Sequence, residues 1–244
     1  MKNVVGYTMI GSYDVSHETV PLALFDDPIE FEQVQTHKKL GCPSVNFGNK
    51  RRFYIPAWAN IYAEASWQLE NNQKIFRLNA PFDKKLNSMS AHAMFGSDTR
   101  MSTLIVTDEE GWANGIPSVQ LRLPYVFFSD DKDMEIHLRR PEEYQYRNIY
   151  PGNFIGGSFN IYSWLRPINA AYQWDDIDQP LQIKKGQPIV ELLFNKPVHE
   201  FKYVAWNNDL KEMMNHTQSI NEYTHNTFSH IKTIIKRRPK KLVK

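Results

Sequence analysis

The chain of 244 residues is poor in cysteine and in long apolar runs. Its single cysteine, Cys42, excludes an intramolecular disulfide, so a reducing compartment, or a particle assembled in one, is the expected setting. No apolar run approaches the roughly 18 residues of a membrane-spanning helix, and we therefore expect no membrane partner. Residues 1–20 contain one lysine and no apolar core segment, which argues against a secretory signal peptide.

Motifs for catalysis and cofactor binding are also missing. The sequence contains no H-E-x-x-H, no glycine-rich phosphate loop and no G-x-S-x-G elbow. Its eight histidines are scattered, and one cysteine cannot build a thiolate zinc site. Three acidic pairs fall in predicted turns and are interpreted as solvated loops rather than cation ligands: Asp26-Asp27, Asp130-Asp131 and Asp175-Asp176. We therefore predict no catalytic residues, no cofactor and no metal site, and the chain is not expected to be an enzyme.

Charge is distributed unevenly along the chain. Residues 232–244 hold seven of the 29 basic residues and no acidic ones, which leaves 22 basic against 27 acidic residues elsewhere, a formal net charge of −5. This asymmetry favours an anionic partner for the tail, a seat on an acidic neighbouring subunit, or simply a solvated terminus. Nucleic acid could be contacted through phosphates, but the acidic body argues against a dedicated nucleic-acid-binding domain. The predicted interaction tail consists of Lys236, Arg237, Arg238, Lys240 and Lys241.

What the sequence does contain is a strong β pattern. Apolar and polar residues alternate in "SVQLRLPYVFF" (118–128) and in "DMEIHLRR" (133–140), and we predict that the "SDDKD" segment between them is a hairpin loop. Further strands are predicted in 51–70, interrupted by Pro56, and in 73–81 after an "ENNQ" turn. Strands this short, separated by turns, indicate a mainly β fold, an antiparallel sandwich or a jelly-roll-like barrel.

Three regions follow from this pattern. Residues 1–115 form an N-terminal β region, 116–206 form a second β region that we expect to share one core with the first, and 207–244 form a C-terminal helical segment and the basic tail. Asp209 and Glu212 have the spacing of a helix-capping box, and the following methionines are interpreted as core filling. The glycine-rich "GNFIGG" (152–157) is predicted to be a turn.

The stretch "YSWLRPINAAYQW" (162–174) supplies the candidate ligand-binding residues Trp164, Arg166, Asn169 and Trp174. The Arg166 guanidinium could stack between the two indoles, and Asn169 could hydrogen-bond backbone across a turn. Two interpretations remain open. One is an aromatic-lined cleft that presents Arg166 to an anion. The other, which we favour, is a tryptophan-anchored corner where the chain changes sheets.

The segment "IKKGQPIVELLFNKP" (183–197) resembles the closing strand of the dUTPase and dCTP-deaminase barrels. In that family an arginine and a glutamine carry chemistry, and Pro188 and Glu191 stand at those positions here. The resemblance therefore implies a strand-turn-strand element of a jelly-roll-like barrel without nucleotide hydrolysis.

A broader resemblance is to proteins encoded by tailed phages, especially large marine myovirus-like ones. It is carried by pieces that follow in order over most of the chain: Cys42-Pro43, Ile55 to Ile61, Leu123 to Ser129, Leu165 to Tyr172 and Ile183 to Ile189. It implies a host cytoplasm or a virion as the setting and brings no catalytic residues. Together with the basic tail and several aromatics that the sequence puts in loops, it leads us to expect a non-enzymatic protein that contacts other phage or host subunits, or further copies of itself, as a virion or assembly component. The alternative is a small-molecule enzyme or binder that uses Arg166 for an anionic ligand.

Overall fold

A computed structural model of the chain describes residues 2–9, 31, 33, 48–57, 60–79, 104–106, 112–141, 150–218 and 242–243. This part of the chain is mainly β, as the sequence predicted, with one α-helix near the C-terminus. Its elements are β1 (Val4–Met9), β2 (Arg52–Pro56), β3 (Ile61–Glu70), β4 (Gln73–Asn79), β5 (Leu104–Val106), β6 (Ser118–Phe128), β7 (Glu135–Arg139), β8 (Phe154–Ile155), β9 (Gly157–Asn160), β10 (Pro167–Gln173), β11 (Leu181–Ile183), β12 (Pro188–Phe194), β13 (Glu200–Tyr203) and α1 (Asn208–Gln218).

The strands form three sheets. The large sheet has the order β13-β1-β6-β10-β8, with β5 also paired to β6. The four-stranded sheet has the order β2-β12-β7-β9, and the hairpin sheet has the order β11-β3-β4. The pairings described are antiparallel except for that of β1 with β13. Strands from both predicted β regions therefore share the sheets, since β1 pairs with β6 and β2 with β12.

The core lies between these sheets, as in a β sandwich. The 11-residue strand β6 contributes to two apolar clusters, because alternate residues of β6 face opposite sides of the large sheet. One face contributes Val119, Leu121 and Leu123 to the main core, which also takes residues from the other two sheets. The opposite face contributes Val126 and Phe128 to a smaller cluster.

Helix α1 covers that second face of the large sheet. Leu210, Met213 and Met214 are buried against the β6 residues there, which confirms the methionines as core filling. The predicted cap is wrong by two residues, because the side-chain oxygen of Asn207 accepts the backbone N–H of Leu210 at 3.0 Å. Asparagine is a strong N-cap, and Asp209 falls instead in the first turn, where its charge favours the helix dipole.

The predicted turn between β3 and β4 is confirmed. Asn71 and Asn72 both have positive φ, 50° and 63°. Two consecutive residues of this kind form the tight turn whose twist matches that of the flanking strands, and asparagine tolerates this backbone region better than most residues. The turn between β11 and β12 likewise needs Gly186, whose φ is +83°.

The predicted "SDDKD" hairpin is wrong. β6 belongs to the large sheet and β7 to the four-stranded sheet, so residues 129–134, the β6–β7 loop, cross between sheets. Both ends of the loop are held by one residue beyond β9: Ser129 N–H donates to the carbonyl oxygen of Ile161 at 3.2 Å, and Ile161 N–H donates to that of Met134 at 3.0 Å. Loop length in the sequence could not reveal this, because a sheet-changing connection and a hairpin loop are equally short.

The glycines of "GNFIGG" have a different role from the predicted turn. The segment contains β8 and the start of β9, and Gly156 has no positive φ. A Cβ at Gly156 would lie 2.7 Å from the carbonyl oxygen of Leu138 on β7. The glycine is therefore required by the close approach of two backbones.

A buried ion pair lies on the face of the four-stranded sheet opposite the main core. The side chain of Glu191 on β12 is 0% exposed, and both of its oxygens accept hydrogen bonds at 2.7 Å from the Arg52 guanidinium on β2, which is 12% exposed. Arg139 on β7 approaches the same carboxylate at 3.9 Å. The contacts of Glu191 thus join β12 to both of its neighbours, β2 and β7.

We predict that Glu191→Gln lowers the free energy of unfolding by about 3–5 kcal/mol, because it leaves a nearly buried guanidinium without its counter-charge. Urea denaturation followed by intrinsic fluorescence measures this loss.

The matched control is Glu70→Gln, because Glu70 also pairs with an arginine across two strands. Its bonds to Arg77 are 2.8 Å long, but the two side chains are 43% and 50% exposed. Water screens such a pair, so the control should lose less than about 1 kcal/mol. Equal losses in the two variants would contradict the importance of burial.

A second charged contact anchors the β6–β7 loop. The Lys196 ammonium donates to the Asp131 carboxylate at 2.6 Å. This hydrogen bond holds the pKa of Asp131 below its ordinary range, and a backbone N–H from Asp133 acts in the same direction. A carboxyl whose pKa is lowered by folding stabilises the protein above its unfolded pKa, and the contribution is lost as the pH falls through the folded pKa.

We predict that Lys196→Met raises the pKa of Asp131 toward its ordinary value of about 3.9. The variant should be less stable than the parent at pH 7, and the difference should shrink as the pH falls below about 4. NMR titration of the Asp131 carboxyl measures the change in pKa. Urea unfolding at pH 7 and below about pH 4 measures the difference in stability. Asp133→Asn is the control, since Asp133 lies 4.0 Å from the ammonium and is largely exposed. A pKa unmoved in Lys196→Met would refute the assignment.

Candidate functional site

The corner predicted within residues 162–174 is present at the start of that stretch. The chain passes there from β9 in the four-stranded sheet to β10 in the large sheet. Asn160 organises the turn, because its side-chain oxygen accepts the backbone N–H groups of Tyr162 and Ser163 at 3.1 and 3.2 Å. Its amide nitrogen donates to the carbonyl oxygen of Lys132 at 2.8 Å. The turn therefore lies beside the β6–β7 loop, which connects the same two sheets.

Arg166 lies on the outside of this corner. Its guanidinium carbon is 5.0 Å from the centre of the Trp164 ring, and Trp164 stacks on Phe159 of β9 with 6.2 Å between ring centres. All three side chains are partly exposed. Among the described residues Arg166 has no acidic partner, so its contact with Trp164 is a cation–π interaction at the protein surface.

Trp174 does not take part in this contact. It follows the seven residues of β10, which extend over roughly 23 Å. Its ring is buried against Tyr172 and Phe76, at 5.9 and 6.2 Å between ring centres, and its indole N–H donates to the carbonyl oxygen of Asp176 at 3.0 Å. The predicted stack of Arg166 between two indoles is therefore not formed.

Asn169 lies in a strand and not in the turn that we predicted. Its side-chain amide donates to the side-chain oxygen of Gln120 on β6 at 2.9 Å. The strand pairing shifts register between Pro167 and Asn169, at the point where the proline has no N–H to donate. The four sequence candidates are thus distributed: Trp164 and Arg166 lie together, Asn169 lies in the large sheet, and Trp174 lies in the core.

The predicted interaction tail, Lys236, Arg237, Arg238, Lys240 and Lys241, lies outside the described residues. The two residues that follow it are bound to the same chain. The Asp130 carboxylate accepts the backbone N–H groups of Leu242 and Val243 at 2.9 and 3.0 Å. The Leu242 side chain is buried beside helix α1. The chain directly after the tail is therefore attached to the β6–β7 loop.

The acidic pairs within the described residues have structural partners. Asp130 holds the backbone of residues 242–243, Asp131 pairs with Lys196, and a carboxylate oxygen of Asp176 accepts the N–H of Asp178 at 3.1 Å. Asp26-Asp27 lies outside the described residues. Across the described ranges, no group of three or more histidine, cysteine or acidic side chains could hold a metal ion.

Aromatic side chains, expected from the sequence to lie in loops, mostly fill the core. Around Phe127 and Phe201 one group of rings packs at 4.8 to 6.4 Å between centres, and another group surrounds Trp174. Within the described part, the exposed large hydrophobic residues are Leu69 and Ile155. Within the described residues, aromatic loops therefore do not support the expectation of a contact surface.

Sequence reasoning missed two sets of buried polar groups. Glu191 stands inside the apolar run "PIVELLF", and a lone carboxylate in such a run is a signal that could have been used. Tyr150 and Tyr172 pack together, and the pairing of β7 with β12 brings Arg140 close to Tyr150, yet nothing in their local sequence marks them.

No protein-family model matches this chain, and no match is found among curated proteins. Among the described residues, no helix has the length and apolar character that crossing a membrane requires.

We predict that Arg166→Ala leaves the protein folded and lowers the free energy of unfolding by about 0.5–1 kcal/mol, the value of an exposed cation–π contact. Trp174→Ala should cost about 3–5 kcal/mol, because it removes a buried ring from the core. Urea denaturation of both variants tests the contrast. Unfolding of the Arg166 variant would instead give the guanidinium an essential structural role.

Proposed function

We propose that this chain is a phage-encoded, non-enzymatic β protein that works through contacts with other protein subunits, as a virion or assembly component. The observation that supports this proposal best is the surface of the hairpin formed by β3 and β4. The ordered resemblance to proteins of tailed phages gives the setting, a host cytoplasm or a virion.

The apolar face of this hairpin extends past the core. Along β3, Ala63 is buried, and Ala65 and Trp67 pack against the core from the same face. Two residues further on that face, Leu69 is 73% exposed. A large apolar side chain held at the end of a rigid hairpin contributes nothing to its own core, and burial against another protein would stabilise it by about 1.5–3 kcal/mol.

The edge of the hairpin also supports a contact role. Among the described strands β4 pairs only with β3, so its other edge carries backbone groups available to a further strand. Such edges accept an added strand from a partner. Lys74 lies 4.6 Å over the Trp67 ring and keeps a positive charge beside Leu69. The chemistry fits a partner that combines an apolar pocket with an acidic rim.

Charge supports assembly with other subunits as well. The body is acidic and the predicted interaction tail, residues 236–241, is basic, so the body of another subunit could bind this tail while residues 242–243 stay attached to their own chain. Packaged nucleic acid is a weaker candidate for the tail, since the remaining chain is acidic.

We predict that Leu69→Asp reduces incorporation of the chain into phage particles about tenfold or more, because a central apolar contact contributes about 2 kcal/mol or more to binding. Quantitative mass spectrometry of purified particles measures the copy number relative to a major structural protein.

Gln68→Asp is the matched control, since it adds the same charge at the neighbouring exposed position on the opposite face of the strand. Its copy number should equal that of the parent. If purified particles lack the unaltered chain, the virion proposal is refuted. If both variants are incorporated equally, the hairpin does not form part of the contact.

A second candidate function is the binding of a small anionic ligand at Arg166. The observation that favours it is the partly exposed guanidinium, which has Trp164 on one face and no acidic partner among the described residues. A thermal shift produced by an anion in the parent and lost in Arg166→Ala would support this function.

A further inference from the structure

A second arginine, Arg140, has a buried polar atom that no group of the described residues pairs with. It directly follows β7, where Ile136 and Leu138 face the core, so the alternation of a strand directs Arg140 toward the space between the sheets. Its Nε is buried and donates no hydrogen bond. Within the described ranges its guanidinium forms no ion pair, although the residue is partly exposed to solvent.

Two tyrosines complete the group. Tyr150 and Tyr172 are both buried, with 5.1 Å between their ring centres. The Tyr150 hydroxyl donates to the backbone carbonyl oxygen of Ile189 on β12. The Tyr172 hydroxyl on β10 is buried and has no hydrogen-bond partner. One donor of the pair is therefore in use and the other is free.

Strand pairing places Arg140 close to Tyr150. Arg139 lies opposite Glu191 of β12, so Arg140 lies within one residue along β12 of the Ile189 carbonyl oxygen to which the Tyr150 hydroxyl donates. Burial raises the pKa of both phenols, the charge of Arg140 lowers that of Tyr150 in part, and Tyr150 raises that of Tyr172 further. Both hydroxyls are accordingly neutral at physiological pH and can donate hydrogen bonds. The cluster offers donors without a matching acceptor.

Arg52 is a contrasting case among the described residues, because it has a carboxylate on two of its nitrogens. Buried polar groups in folded proteins are nearly always paired, and each unpaired donor costs about 1–3 kcal/mol. A charged acceptor that reaches Arg140 and Tyr172 together would satisfy both groups at once.

We propose that Arg140 and Tyr172 bind the oxyanion group of a small ligand between the large and four-stranded sheets. A guanidinium matches the planar oxygens of a carboxylate and those of a phosphate equally well. The ring of Tyr150, with the partly exposed Phe154 at 5.5 Å from it, provides an apolar wall beside the oxyanion. The ligand class is therefore a small carboxylate or phosphate with an apolar body.

Isothermal titration with benzoate and with phenyl phosphate tests this site, and benzyl alcohol serves as the uncharged probe. One of the two anions should bind and the alcohol should not, and the stronger anion identifies the oxyanion. Tyr172→Phe removes only a hydroxyl without a partner, so the free protein should be at least as stable as the parent while the affinity falls about tenfold.

Arg140→Gln should abolish measurable binding, whereas Lys185→Gln, which removes an exposed cation from the β11–β12 turn, should leave the affinity unchanged. Binding that is lost in Arg166→Gln but kept in Arg140→Gln would assign the anion to the surface arginine and overturn the proposal. Should Arg140→Gln fail to fold, the Tyr172→Phe measurement decides alone. The proposal is overturned if neither anion binds, if the alcohol binds as well as the anions, or if Tyr172→Phe keeps the full affinity. Particle incorporation is a separate measurement, so this site can fail while the contact role stands.

Discussion

The buried carboxylate of Glu191 constrains the strand register of the four-stranded sheet. The Glu191 carboxylate is fully buried, and the Arg52 guanidinium held against both of its oxygens offsets the cost of that burial. A slip of one residue between β2 and β12 would turn Glu191 toward the core and leave Arg52 unpaired, so the pair penalises every register but the observed one. Arg139 extends the same constraint to β7, which carries β9 and the corner beyond it. The geometry of the corner therefore depends on this pair.

Two of the connections between the larger sheets, the β6–β7 loop and the corner between β9 and β10, share one polar framework. Asn160 ties the corner to the β6–β7 loop, Asp131 anchors that loop to Lys196, and Asp130 binds the backbone of residues 242–243. Polar groups at this end are satisfied by the chain itself. The opposite situation holds around Arg140 and Tyr172, where donors remain free inside the protein. The hydrogen-bonded polar groups hold the connections between the sheets in place. The unpaired donors of Arg140 and Tyr172 indicate where a bound molecule would be stabilised.

The sequence was a good guide to local structure and a poor guide to connections. Alternation predicted β6 and β7, and the paired asparagines marked the β3–β4 turn, because period and backbone preference are local properties. The hairpin between β6 and β7 was wrong, because strand pairing depends on which distant strand offers a free edge. For the same reason Trp164 and Trp174, ten residues apart, were assigned to one site although a strand separates them.

By itself the sequence determined that the chain folds mainly as β structure with a C-terminal helix, that one cysteine excludes an intramolecular disulfide, and that charge is divided between an acidic body and a basic tail. These properties follow from composition and from spacings of a few residues. Only the tertiary structure decided that Glu191 meets Arg52, that Arg166 lies on the surface, and that Arg140 lies close to Tyr150 from another segment. Long-range contacts of this kind arise from burial of the whole chain around a shared core, and no local pattern encodes them.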